Sequence, residues 1–206
     1  MLSIALWSAA SAPRAEEGTG PALLVLGDSI SAAYGMSLEE GWVALLARQL
    51  EETHPGIAVI NASISGDTSA GGLRRLPLLL KEHDPDLVVI ELGGNDGLRG
   101  YPTNTLAENL TTMATLARDG GAAVLLVPME IPPNYGPRYT TAFRKTFTTA
   151  SESAGVPLAP FPLNNIAVDR TLMQDDGIHP TAEAQSLIVE SLMPIIEQML
   201  SEVDAS

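Results

Sequence analysis

The chain contains no cysteine. That excludes a disulfide framework, a thiolate metal site and a cysteine nucleophile, and it leaves the redox state of the compartment unmarked. Aromatic residues are scarce, at 4%, so stacking platforms for bases or sugars do not dominate its surface. Positive charge is scarce as well: 11 basic residues against 25 acidic ones give a formal charge of −14. Such a chain repels nucleic acid, and no Lys/Arg cluster offsets the repulsion; an anionic membrane surface is disfavoured for the same reason. Beyond the N-terminal segment no stretch approaches the ~20 apolar residues of a membrane-spanning helix, so stable membrane insertion is not expected.

What is present is apolar. Hydrophobic residues make up 45% of the 206, enough to fill the core of one full-sized domain and short for two. The opening "MLSIALWSAASAPRAEE" has a short apolar core and then small residues, including Ala10-Ser11-Ala12, but no basic leading region. It reads as the remnant of a secretory signal peptide or as a disordered tail. The expected organisation is that segment over residues 1–20 and a single domain over 21–206. The expected location is periplasmic or secreted, otherwise cytoplasmic. Nothing in the pattern suggests an interface, so a monomer is expected.

Short apolar runs alternate with amphipathic stretches. Strands are expected at Ala22–Leu26, Ile57–Ile60, Asp86–Gly93 and Ala122–Pro128, with a short fifth at Val156–Leu158. Helices are expected at Gly41–Glu52, Gly72–His83, Leu106–Arg118, Arg138–Ala154 and Thr181–Leu200, the last kinked by Pro194. This alternation implies a parallel sheet with helices on both faces. Two loops are long, the proline-rich Pro128–Pro137 and Ala159–Gly177; long loops in compact α/β domains are commonly functional.

In an open parallel sheet, ligands bind beyond the carboxyl ends of the strands. Gly27-Asp28-Ser29 follows the first strand. "NASISGDTS", with Gly66, follows the second; "GGNDG", with Asn95, follows the third; "QDDGIHP", with Asp176 and His179, follows the last strand and its loop. Each has a plain structural explanation when taken alone. Ser29 suits a helix N-cap, Gly66 and Asn95 suit turns, Asp176 suits a turn cap, and His179 suits the start of the last helix. Their joint placement at strand ends is not explained that way. Together they supply a nucleophile, a base, a carboxylate and amide donors, the inventory for acyl transfer. The three-residue offset of Asp176 and His179, through Gly177, lets the carboxylate reach the imidazole N–H. A metal reading of Asp175, Asp176 and His179 stays open but lacks a further ligand at a recognisable spacing. His54 and His83 lie at polar helix ends and are expected to have no role.

These four blocks resemble, in order, those of the GDSL/SGNH hydrolases, and within that family the bacterial thioesterase/protease/lysophospholipase (arylesterase) branch. The similarity runs from about Leu23 to the final helix. It implies a three-layer α/β/α sandwich with a five-stranded parallel sheet of flavodoxin type. It implies that Ser29 is the nucleophile, His179 the general base and Asp176 its orienting partner. The Ser29 and Gly66 N–H groups and the Asn95 amide would form the oxyanion hole. It further implies hydrolysis of acyl esters and thioesters, including fatty acyl thioesters, lysophospholipids and aryl esters, without metal or cofactor. One departure stands out: Glu130, in the proline-rich loop, is acidic where the resemblance implies a neutral or basic residue.

Candidates for an acyl groove are Leu73, Leu76, Pro77 and Leu78, together with Ile131, Pro132 and Tyr135; the leucines serve equally well as helix core. Two rival functions are a carbohydrate O-acetylesterase on the same scaffold and a non-catalytic anion binder using amides after Ser29. The second leaves Asp176 and His179 without a task.

Overall fold

Strands form where the chain runs apolar without a break. A computed structural model describes residues 20–205; the expected signal segment, but for its last residue, lies outside the described residues. β1 (Ala22–Gly27), β2 (Ala58–Asn61), β3 (Leu87–Glu91) and β4 (Ala123–Leu126) form one parallel sheet in the order β2-β1-β3-β4. Leu24 lies beside Ile60 on one flank and Val88 on the other, and Val88 lies beside Val124. All of β3 and nearly all of β1 are buried, as central parallel strands covered on both faces should be.

The helices are α1 (Trp42–Thr53), α2 (Ser69–His83), α3 (Gly94–Leu98), α4 (Thr103–Asp119), α5 (Pro137–Ala154) and α6 (Gln185–Asp204). α1 and α6 pack together on one face of the sheet, and α2, α4 and α5 on the other. α1 buries Trp42, Val43, Leu46 and Leu50. α6 answers with Ile188, Leu192 and Ile196. Each such side chain contributes about 1.5–3 kcal/mol by leaving water. Helix ends follow their local chemistry. Thr68 caps α2 by accepting the Gly71 N–H, so the helix starts at Ser69, ahead of the expected Gly72. α5 opens on Pro137, whose missing N–H costs nothing there. α6 runs through Pro194, and a 3-10 turn at Ala182–Ala184 takes the place of its expected first turn.

The expected fifth strand is corrected by the structure. Among the described residues the sheet has four strands, and Val156–Leu158 contributes a single parallel bridge from Leu158 to Leu126. The Leu126 N–H donates to the Pro157 carbonyl at 3.1 Å, and the Ala159 N–H donates to the Leu126 carbonyl at 2.8 Å. Pro157 has no N–H to offer, and Pro160 follows closely, so the ladder ends there.

Candidate active site

All four strands point their carboxyl ends at one edge, and the turns after them meet there. The first turn is tight because of Gly27. A Cβ at that position would lie 2.6 Å from Ser31 Oγ and 2.8 Å from Glu91 Oε2, so glycine alone lets the end of β1 approach β3. No helix follows Ser29 directly; α1 begins only at Trp42. Asp28 does the local bracing instead, its Oδ1 accepting the Ile30 N–H at 3.1 Å. The Ser29 hydroxyl is therefore not engaged as a cap.

That hydroxyl lies 2.8 Å from His179 Nε2. On the far side of the ring, His179 Nδ1 is 2.6 Å from Asp176 Oδ2. Asp176 Oδ1 accepts the N–H groups of Ile178 and His179, at 2.9 and 3.0 Å. The turn-capping and charge-bearing readings of Asp176 thus hold together, one oxygen for each. Partial burial works against the Asp176 charge, but the imidazole and these two N–H groups outweigh it and bring its carboxyl down to about 2. At neutral pH it is a carboxylate and can only accept, so His179 carries its proton on Nδ1. Nε2 is then the acceptor for the Ser29 O–H. The Tyr34 ring packs against the imidazole, with centroids 4.4 Å apart. Gln174 Nε2 donates to the carbonyls of Tyr34 and Pro180, at 2.8 and 3.0 Å, tying the histidine loop to the serine turn.

The amide donors gather at the same place. Gly66 has a φ of +79°, a left-handed conformation that favours glycine. Its carbonyl accepts from Arg99 Nη2 at 3.0 Å, and the Ile64 N–H donates to the Gly27 carbonyl at 3.1 Å. The second turn is thereby fastened to the first. Asn95 lies in the first turn of α3, and its Nδ2 donates to Asp28 Oδ2 at 3.1 Å. Among the described residues the Ser29 and Gly66 N–H groups have no protein acceptor. Ser29, Gly66, Asn95 and His179 all line one cavity of about 720 Å³.

Its remaining wall is largely apolar. Leu98, Met129, Ile131, Pro132, Phe161 and Leu163 contribute, as do Val168 and Ile178. Both long loops therefore build the cavity. The α2 candidates do not: Leu76 is fully buried, Leu73 packs against the core, and neither Pro77 nor Leu78 lines the cavity. Of the proline-rich loop, Ile131 and Pro132 line it, whereas Tyr135 braces it by donating to the Leu98 carbonyl at 2.7 Å. Among the described residues no group of three or more His, Asp or Glu is placed to hold a metal ion. His54 and His83 sit at the ends of α1 and α2, outside the cavity.

Beneath the serine lie two acids with no role expected from the sequence: Glu91, and Asp28, which figures there only as part of the Gly27-Asp28-Ser29 turn. Glu91 is buried, and its Oε2 accepts the Ser31 hydroxyl at 2.6 Å and the Asp28 N–H at 3.4 Å. Burial, then the nearby Asp28 carboxyl, push Glu91 well above the ordinary carboxylate range. Burial likewise pushes Asp28 up to about 6, against the lowering effect of the Ile30 N–H, His179 and Asn95. A readable signal existed: Glu91 is a charge at the end of an otherwise apolar strand, "DLVVIELG".

The chain matches the GDSL-like Lipase/Acylhydrolase family over residues 25–187. It is 49% identical over 185 residues to Esterase TesA of Pseudomonas aeruginosa, covering 90% of this chain and 92% of that one. It is 43% identical over 178 residues to thioesterase 1/protease 1/lysophospholipase L1 of Escherichia coli strain K12, covering 84% of each. Among solved structures, the psychrotrophic esterase EstA from Pseudoalteromonas sp., inhibited by monoethylphosphonate, superposes with a TM-score of 0.84 at 45% identity. That match covers 88% of this chain and 99% of the other. The chain belongs to the GDSL-like lipase/acylhydrolase family and has its α/β fold; it is an ester hydrolase of that family.

Proposed function

We propose that this hydrolase cleaves acyl esters and thioesters through an acyl-enzyme on Ser29. The observation that supports it best is the continuous line from Asp176 through His179 to the Ser29 hydroxyl, with contacts of 2.6 and 2.8 Å. His179 Nε2 takes the hydroxyl proton as Ser29 Oγ attacks the acyl carbonyl. The carbonyl oxygen becomes an oxyanion, received by the Ser29 and Gly66 N–H groups and by the Asn95 amide. His179, now doubly protonated and held by the Asp176 carboxylate, returns its proton to the leaving alkoxide or thiolate. Water then repeats the sequence: His179 takes its proton, hydroxide adds to the acyl-enzyme carbonyl, and the acid departs as the proton returns to Ser29.

The substrate class follows from the wall. A cavity of about 720 Å³ lined by Leu98, Met129, Ile131 and Phe161 suits an acyl chain well beyond acetyl, as expected of fatty acyl thioesters, lysophospholipids and aryl or medium-chain esters. Hydrolysis rates of p-nitrophenyl esters from acetate to decanoate test it. A kcat/KM that rises with chain length is expected; activity on acetate alone would instead favour a carbohydrate O-acetylesterase. A single domain over 21–206, preceded by an export segment and acting as a monomer in the periplasm or outside the cell, completes the proposal. The apolar start and Ala10-Ser11-Ala12 support its export. Among the described residues no helix is long and apolar enough to cross a membrane.

A further inference from the structure

The residues after β4 alternate: Met129 and Ile131 are buried against the cavity, and Glu130 between them is exposed. Glu130 still lines the cavity, alongside the buried Asp28 as its second acidic residue. Its carboxylate is held from outside by one side chain. Arg144, on α5, donates Nε to Oε1 at 2.8 Å and Nη2 to Oε2 at 3.1 Å. Arg144 does not itself line the cavity. Such a two-bond fork fixes direction as well as charge. The cavity wall therefore includes one exposed acidic residue whose carboxylate is paired, on the side away from the cavity, with a positive charge.

We propose that the Glu130–Arg144 pair sets the charge selectivity of the acyl cavity, keeping it neutral so that uncharged chains are favoured over chains with an ionised tail. The idea rests on the reading of this cavity as the acyl site. Each partner masks the other. With Glu130 neutralised, Arg144 is left uncompensated beside the wall and attracts an anionic tail. With Arg144 neutralised, Glu130 is left uncompensated beside the cavity and repels it. The two changes must therefore move selectivity in opposite directions, which loss of a structural brace does not do. Both side chains are substantially exposed, at 39% and 62%, so water and salt temper the effect to a few-fold.

The test compares p-nitrophenyl octanoate with mono-p-nitrophenyl suberate, which has the same chain length and a terminal carboxylate. The ratio of kcat/KM for suberate over octanoate is taken within each enzyme, so a general change in activity cancels. Glu130→Gln should raise the ratio about threefold, and Arg144→Gln should lower it about threefold. The double variant should return close to the wild-type ratio, and 0.5 M salt should shrink both shifts. Ratios that stay put, or that move the same way in both single variants, would overturn the proposal while octanoate hydrolysis upheld the hydrolase reading. A wild-type enzyme inert toward octanoate would instead overturn the hydrolase reading itself.

Discussion

Two sets of carboxyl groups flank the same serine, and their surroundings pull them in opposite directions. Asp176 stands on the final loop, and three N–H donors, one of them from the imidazole, hold it down to about 2 against partial burial. Asp28 and Glu91 lie under the serine at the ends of β1 and β3, where burial wins and pushes both upward. The difference is a count of donors against water removed. Glu91 accepts the Ser31 hydroxyl and the Asp28 N–H on one oxygen, and its Oε1 has no partner among the described residues. One acid is kept charged where charge can act on the imidazole. The others form a floor where burial disfavours charge.

The largest effect expected belongs to the serine that both sets flank: Ser29→Ala should lower kcat by at least ~10⁴ in an ester-hydrolysis assay. Next comes one acid from each set. Asp176→Asn should lower kcat by about 10³–10⁴, because an amide no longer holds the imidazole in its working tautomer. Glu91→Gln replaces a buried carboxyl whose ionisation burial already disfavours by an uncharged group of the same shape, so kcat should fall by less than about tenfold. Equal losses in these two variants would erase the contrast between loop and floor. Asn95→Ala should lower kcat by about 10²–10³ with little change in KM, the mark of a donor used in the transition state; a defect confined to KM would remove it from that role.

The smallest effects concern stability, and their signs differ between the two sets. The folded-state value of Asp28 is raised, so its ionisation costs stability above about pH 6 and costs nothing below pH 3.8. Asp28→Asn removes that pH dependence, so the stability of the variant relative to the wild type, by urea denaturation, should shift in the variant's favour by on the order of 1–3 kcal/mol between pH 4 and pH 7.5. Asp176 is lowered, so its contribution is present above pH 3.8 and is lost as pH falls through about 2. Asp176→Asn should be slightly destabilising at neutral pH and indistinguishable from the wild type in strong acid.

Much of this was legible in the residues. β1 and β3 are continuous apolar runs, and polar, glycine-bearing turns follow the strands; topology alone then brings Ser29, Gly66, Asn95, Asp176 and His179 to one edge. What failed depended on details that periodicity does not carry. Val156–Leu158 is apolar enough for a strand, yet Pro157 withholds the N–H that a ladder needs. Leu73 and Leu76 follow the second block closely, yet the face of α2 on which they lie turns to the core. The floor of Asp28 and Glu91 was hidden because its partners, Ser31 and Asn95, are 60 and 67 residues away in the chain. Glu130 was visible as an oddity, but its partner Arg144 emerged only once α5 was folded against the proline-rich loop.

The central claim, that Ser29 is the attacking group, is tested most directly by a fluorophosphonate probe followed by peptide mapping. Attack by an activated serine forms an Oγ–P bond and expels fluoride. Labelling of one peptide, at Ser29, is the expected result, with none in Ser29→Ala and a much slower reaction in Asp176→Asn. Labelling at another residue, or an unlabelled wild-type protein, would contradict it.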